Sequence, residues 1–489
     1  MTALYTTHPE YFNDICEAVR LFIDTRRIEL LESPEAKAED SVVLHTLELS
    51  GGMMTSTARF FTDGVFVSQS EFSVTEPSGS LETKREAKRA SKISVYRALL
   101  KHFRTTLPWG SLTGIRPTKL LRDSEALLGT DTAKSLFLNT FDVSPQKYAL
   151  AKAILDAQSG LYPKDDDLDV YIGIPFCVTR CAYCSFASYT PDVFKDAEEQ
   201  YVCALLHELS CAEEIISGRR VRALYVGGGT PTALSQHSLE KVLVRASQLA
   251  RGADEFTVEA GRPDTITAEK LALIKASGAR RLSVNAQTMF DETLQRIGRR
   301  HTAAEFLAAY ELAAQAGFDA INVDLIAGLP GETEAHTEQS LRQVMALKPQ
   351  NVTVHTLAVK RASKFAEANM GAFPTDAQTA QTLETAHAML EAAGYYPYYM
   401  YRQKYMKGSL ENAGYTRPGH ACLYNIDNME ELCDVLAFGA GAISKRLFNG
   451  GARIERAANV KDLKGYIERH TEMADAKRLL FECEKNKLT

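Results

Sequence analysis

The chain has 489 residues, 45% of them hydrophobic and 24% charged, with a formal net charge of −6. That balance is ordinary for a soluble protein of roughly two to four domains and gives no global attraction to nucleic acid or an anionic membrane. No apolar run approaches a membrane span, and acidic residues interrupt the start where a signal peptide needs its apolar stretch, so a cytoplasmic protein is expected.

Residues 1–165 predict an α+β accessory domain that ends in the acidic linker "LYPKDDDLD". Within it, "KREAKRASKISVYRALLKHFR" (84–104) carries eight Lys or Arg against one Glu, and Tyr96, Leu99, Leu100 and Phe103 recur at helical spacing. The basic face of this helix is either solvated or an electropositive wall for an anionic partner. Next comes "PWGSLTGIRPTKL" (108–120), with the only Trp and with Arg116.

Residues 166–370 repeat one theme. Short β-branched runs end in Gly, Pro or polar residues and are followed by amphipathic helical patterns such as "SLEKVLVRASQLA" and "AAEFLAAYELAAQAGF". The strand candidates are "DVYIGIPF" (169–176), "ALYVGGG" (223–229), "EFTVEAG" (255–261), "RLSVNAQT" (281–288), "AINVDLIAGLP" (320–330) and "NVTVHTLAV" (351–359). Six strands alternating with helices predict an α/β fold, a partial (β/α)6 barrel whose chemistry gathers at the C-terminal ends of the strands. Residues 371–489 predict a mostly helical C-terminal domain that covers the substrate. It contains the tyrosine-rich "GYYPYYMYRQKYM" (394–406) and the glycine-rich "LAFGAGAISK" (436–445).

Nine cysteines in a chain this long are no disulfide scaffold. Cys16, Cys203, Cys211, Cys422, Cys433 and Cys483 are scattered and expected to be buried or inert. Cys177, Cys181 and Cys184 are clustered in "YIGIPFCVTRCAYCSF", just past the first barrel strand. A structural zinc site needs four ligands, and no fourth Cys or His lies nearby. Three thiolates suit a [4Fe–4S] cluster that keeps one iron open for a substrate or cofactor.

Around the same barrel mouth, "GGGTPT" (227–232) follows the second strand, and Gly228 and Gly229 would let backbone approach a ligand. Glu259, Gln287 and Asp324 stand near the ends of strands three to five. Each alone would pass for a satisfied polar residue; together they predict a polar binding ring.

The spacing C-x3-C-x-aromatic-C resembles the radical S-adenosylmethionine (SAM) superfamily. "YIGIPFC", "GGGTPT", "RLSVNAQT", "RIGRRH" and "INVDLIAGLP" are together similar to the oxygen-independent coproporphyrinogen III oxidase group. "SLTGIRPTKL" and "YMYRQKYMKGSLENAGYTRPGHACLYNI" resemble its HemZ-type coproporphyrinogen dehydrogenases.

The resemblance implies that the open iron chelates SAM, whose reductive cleavage gives a 5′-deoxyadenosyl radical. It implies oxidative decarboxylation of two propionates of coproporphyrinogen III to vinyls in heme biosynthesis, two bound SAM molecules, and a reducing donor such as flavodoxin or ferredoxin. By motif, Tyr171, Gly228 and Glu259 match positions at the cluster-bound SAM. Tyr183, Gly229, Thr230, Gln287, Arg299, Asp324, Ala358 and Ile443 match those of the second, and Tyr183 would also shield the cluster. A monomer is expected. Substrate propionates need cations near an apolar rim, for which Arg402, Lys404 and Arg116 are the candidates.

Two departures stand out. Phe186 replaces an extra cysteine of the oxidase pattern, and Gly173 stands where the pattern has His. Both point toward a related heme-chaperone branch. A heme-binding chaperone and a radical SAM enzyme acting on heme itself therefore remain alternatives.

Overall fold

The computed structural model describes residues 2–23, 25, 27–34, 41–114, 116–184, 188–194, 197–358, 372–403 and 407–482. Phe186, Lys404 and Cys483, named above, lie outside them. The chain forms two compact units, Met1–Lys152 with Gly408–Leu410, and Ala153–Lys407 with Glu411–Thr489.

In the first unit, β1 (Thr2–Thr6), β2 (Ile28–Leu30), β3 (Ser41–Ser50), β4 (Met53–Thr62) and β5 (Val65–Thr75) form one sheet in the order β2-β1-β3-β4-β5. Gly51–Gly52 and Asp63–Gly64 turn the two hairpins at positive φ, the conformation that two-residue hairpin loops require. Leu4, Val43, Met54 and Phe60 of the sheet meet Ile15, Val95 and Leu99 of the helices Phe12–Val19 and Ser80–Phe103 in one core.

Part of the charge on the basic helix is answered inside its own unit. Lys88 pairs with Asp14 at 2.8 Å, Lys92 with Glu17 at 3.1 Å and Arg97 with Asp142 at 2.8 Å, all three half-buried acids. Trp109 is fully buried.

The second unit is built on β6 (Asp167–Ile174), β7 (Arg220–Gly228), β8 (Glu255–Gly261), β9 (Arg281–Val284), β10 (Ala320–Ala327) and β11 (Asn351–Thr356). They lie side by side in chain order and all parallel, with helices between them, which is the partial (β/α)6 barrel. Their near-continuous apolar runs follow from burial on both faces. Side chains cap the intervening helices: Thr302 and Glu305 form a capping box on Ala303–Gln315, and Ser235 and Thr267 cap two others.

The tail does not stand apart. Alongside three helices, residues 371–489 contribute five strands to the same sheet: β12 (Tyr396–Tyr401), β13 (Asn412–Thr416), β14 (Asp434–Phe438), β15 (Ile443–Phe448) and β16 (Arg453–Ala458). β13 runs antiparallel along β11, whereas β14 adds a seventh parallel strand beside β6. The helix Leu463–Glu482 is pinned by Lys477, which is fully buried 2.5 Å from Glu208 and 2.6 Å from Asn459. Burying that charge is tolerable only because these partners are in place. No helix among the described residues is long and apolar enough to cross a membrane.

Candidate cluster and cofactor site

Alternation along parallel strands stacks the barrel interior in layers. Tyr171 of β6 and Tyr225 of β7 are register partners, and their rings stack on each other and on Tyr424 at 4.8–6.3 Å between centroids. The next layer toward the C-terminal ends has Gly173 opposite Gly227. A Cβ on Gly227 would fall 2.7 Å from the Glu259 carboxylate and 2.5 Å from the Tyr225 ring, so the glycine keeps space open above the tyrosines.

Above this floor lies a cavity of about 240 Å³ at the strand ends. Its wall brings together Cys177, Cys181, Tyr183, Cys184, Gly228, Gly229, Thr230, Glu259, Gln287, Arg299, Asp324 and Ala358, all singled out in the sequence. Tyr171 is not in the wall; its hydroxyl abuts Gly228 from the floor. Ile443 opens β15, is 41% exposed and does not line the cavity, so its expected place there is not what the fold gives it.

The cysteine loop is held on both sides. The Cys177 amide donates to Tyr189 O, the Ala182 amide to Ile297 O, and the Thr179 hydroxyl to Gly298 O. Gly229 passes so close to β6 that a Cβ would sit 2.6 Å from Phe176 O and 2.8 Å from Ile174 O. Its need for glycine thus comes from backbone packing under the cysteine loop rather than from a ligand. Burial pushes the Cys177 thiol up to about 11, while the Thr230 hydroxyl, 3.4 Å away, opposes this.

The polar ring is tuned group by group. Burial, then the Asp324 charge, raises Glu259 to about 7. Burial also pushes Asp324 up, but His355 at 3.5 Å and the Asn322 amide at 2.7 Å outweigh it and leave Asp324 below its ordinary value. Two carboxylates on one cavity are thereby driven apart in acidity, one toward the neutral acid and one toward the anion. Gln287 adopts φ 68°, a left-handed conformation uncommon outside glycine, fixed by its amide donating to Asp324 O and its carbonyl accepting from Ile326. The expected strand 281–288 therefore stops at Val284. Arg299 donates to Asn285 O at 2.9 Å and to the Tyr183 hydroxyl at 3.2 Å, which orients that ring beside the cysteines.

Sequence reasoning missed Arg262, Asn285, His355, Gln403 and Asn412, all in the cavity wall, as is Tyr401 of the tyrosine-rich stretch. Arg262 and His355 carried the signal that singled out Glu259 and Asp324, a polar residue at a strand end. Gln403, just past β12, and Asn412, at the start of β13, come with the strands added beyond β11, which nothing local announces. Arg402 is corrected outright. It is 5% exposed and outside the cavity wall, while Tyr401 and Gln403 on either side are in it. Burial, partly offset by Glu411, lowers its guanidinium to about 10. Arg116 stands at the N-cap position of the helix Pro117–Leu128 in the first unit and makes no side-chain cap bond there.

The three thiols fit a cluster better than a single ion. All line one cavity, yet their sulfurs are not all within 4.8 Å of one another. Donors on one tetrahedral zinc at about 2.3 Å would stand only about 3.8 Å apart. Cys203, the next cysteine along the chain, is exposed on the helix Glu198–Leu209.

Residues 171–344 match the radical SAM superfamily. The oxygen-independent coproporphyrinogen-III oxidase-like protein HemZ of Bacillus subtilis is 39% identical over 396 residues, covering 78% of this chain and 79% of HemZ. The heme chaperone HemW of Haemophilus influenzae is 33% identical over 312 residues, 62% of this chain and 77% of HemW. Among solved structures, coproporphyrinogen III oxidase (HemN) from Escherichia coli, a radical SAM enzyme, superposes with a TM-score of 0.51 at 25% identity. It covers 68% of this chain and 74% of that one.

A partial parallel barrel whose first strand runs into a three-cysteine loop thus defines a radical SAM protein, with a [4Fe–4S] cluster and SAM as cofactors. Within that superfamily the chain belongs to the HemN/HemZ-type group.

Proposed function

We propose that this protein oxidatively decarboxylates coproporphyrinogen III to protoporphyrinogen IX without oxygen. The observation that carries the reading is the extent of the likeness to HemZ. It reaches 78% of the chain, well beyond the barrel, against 62% for HemW. Bound cluster and SAM would supply one electron and a 5′-deoxyadenosyl radical, a group able to remove hydrogen from an unactivated carbon.

The chain's own residues would do the rest. Cys177, Cys181 and Cys184 would hold the cluster, and Gly228 and Glu259, with Tyr171 from the floor, would contact the SAM bound to it. Tyr183, Gly229, Thr230, Gln287, Arg299, Asp324 and Ala358 line the space for a second SAM. Tyr401, Gln403 and Asn412, on or just past the added strands, line the remaining side, where the substrate propionate would enter. Each propionate would give one hydrogen atom, from the carbon β to its carboxylate, to the 5′-deoxyadenosyl radical, then lose carbon dioxide and pass one electron to an external one-electron acceptor, leaving a vinyl and 5′-deoxyadenosine. A heme chaperone is the second reading, favoured by the HemW relatives and by Gly173 and Phe186 in place of the oxidase residues.

Coproporphyrinogen deuterated at the propionate β carbons tests the proposal. Deuterium in the 5′-deoxyadenosine formed supports it. Undeuterated 5′-deoxyadenosine with the substrate untouched contradicts it.

A further inference from the structure

We propose that Asp169, Asp427 and Cys433 form a second metal site, for a divalent cation of the zinc class, at the opposite end of β6 from the cysteine loop. Asp169 lies in the first half of β6 and pairs with Val435 of β14. Asp427 lies on the helix Leu423–Glu430, and Cys433 immediately precedes β14. One carboxylate oxygen of each Asp and the Cys433 sulfur lie within 4.8 Å of one another, and all three residues are buried. Oxygens at about 2.0–2.2 Å and a sulfur at about 2.3 Å from one tetrahedral zinc would need to close only slightly from there.

The unmet hydrogen-bonding capacity is a separate observation. Asp169 is 0% exposed, yet neither of its carboxylate oxygens accepts from an N–H or O–H group among the described residues. The donor that faces it is the Cys433 thiol. Asp427 Oδ2 takes the Arg222 Nε–H at 2.6 Å, but its Oδ1 is likewise unpartnered. A buried carboxylate with no partner is costly and calls for either a proton or a cation.

Charge balance separates those two states. Glu255 is answered by Arg281 at 3.3 Å, and Asp167 by Arg220 at 2.8 Å. That leaves Arg222 alone against Asp169, Asp427 and Cys433. One divalent cation with the thiolate and both carboxylates makes the group neutral. Without the ion, neutrality requires a proton on Asp169 and another on Cys433, so binding expels two protons. A thiolate beside two carboxylates suits zinc, whereas magnesium and calcium take oxygen donors. Three protein ligands leave the fourth position to water. The Tyr171–Tyr225–Tyr424 stack occupies the next layer toward the SAM cavity, so this site is a staple. It ties the helix Leu423–Glu430 and the start of β14 to β6.

The test uses the full chain carrying Cys177→Ala, Cys181→Ala and Cys184→Ala, so that the cluster loop cannot take metal. Metal analysis after anaerobic purification should find one zinc per chain. Cobalt(II) should give a thiolate-to-metal charge-transfer band that zinc abolishes. Asp169→Asn and Cys433→Ser, near-isosteric changes, should each remove both signals while far-ultraviolet dichroism confirms folding. If either variant fails to fold, the cobalt band and its displacement by zinc in the parent chain decide the matter. A parent chain that binds neither metal, or zinc retained in both folded variants, overturns the site and leaves Asp169 as a buried neutral acid.

Discussion

Arg262 aims a guanidinium at one of the three clustered cysteines, the proposed cluster ligands: its Nη1 lies 3.6 Å from the Cys181 sulfur and 2.8 Å from the Thr179 hydroxyl. Asp264 fixes that orientation through two bonds, at 3.0 and 2.8 Å, and the arginine is almost fully buried. A cation donating to a ligand sulfur stabilises the more negative, reduced cluster and so raises its potential. Arg262→Met should lower the midpoint by about 60 mV or more, a tenfold shift in a one-electron equilibrium. Titration followed by electron paramagnetic resonance measures this, and Arg262→Lys should recover part of it. An unmoved midpoint at full iron content would leave Arg262 only a structural clamp.

Glu259 makes stability depend on pH. Its folded value of about 7 exceeds the ordinary 4.5, so the folded protein holds the proton more tightly than the unfolded chain. The associated stability is fully present below the ordinary value and is lost as pH rises through about 7. The loss is on the order of 3 kcal/mol in the SAM-free protein. Melting temperatures at about pH 5 and about pH 8 should therefore differ more in wild type than in Glu259→Gln. Equal differences would show that Glu259 is not the titrating group.

Gly229→Ala should be severe for its size. The added methyl meets two carbonyl oxygens of backbone, at 2.6 and 2.8 Å, and neither can rotate away as a side chain could. Displacing the start of the cysteine loop should cost about 1–3 kcal/mol and reduce cluster content. Thermal melting and iron analysis check both. A variant with wild-type iron would place the loop's rigidity elsewhere.

Arg402→Ala should act on folding rather than on substrate binding. Its guanidinium is buried within the charge field of Glu411, so truncation removes the packing of a buried side chain and a favourable charge, at about 0.5–3 kcal/mol. Denaturant unfolding should show that loss, while the Michaelis constant of the surviving folded enzyme stays put. A raised constant at unchanged stability would restore Arg402 to the substrate pocket.

How far the sequence could be read followed the range of the interactions. Six parallel strands were legible because burial on both faces leaves apolar runs ended by Gly, Pro or a polar residue, as in "ALYVGGG" and "EFTVEAG". Cys177, Cys181 and Cys184 were legible because three thiols in eight residues have few other uses. The docking of β14 on β6 was not, since it joins Val435 to Asp169 across most of the barrel sequence. Nor was the left-handed Gln287 that cuts β9 short, because its partners Asp324 and Ile326 lie on another strand. Arg402 misled because charge beside tyrosines looks like a pocket rim. Alternation after β12 instead turns Tyr401 and Gln403 to the cavity and Arg402 away.

The most direct test supplies the anaerobically reduced, cluster-loaded protein with SAM and, in parallel, coproporphyrinogen III or heme, followed by chromatography of the tetrapyrroles. The account predicts protoporphyrinogen IX with matching 5′-deoxyadenosine and carbon dioxide from coproporphyrinogen, no product from heme, and neither in a chain with Cys177, Cys181 and Cys184 all replaced by Ala. Unchanged coproporphyrinogen, with heme bound or consumed instead, would contradict it.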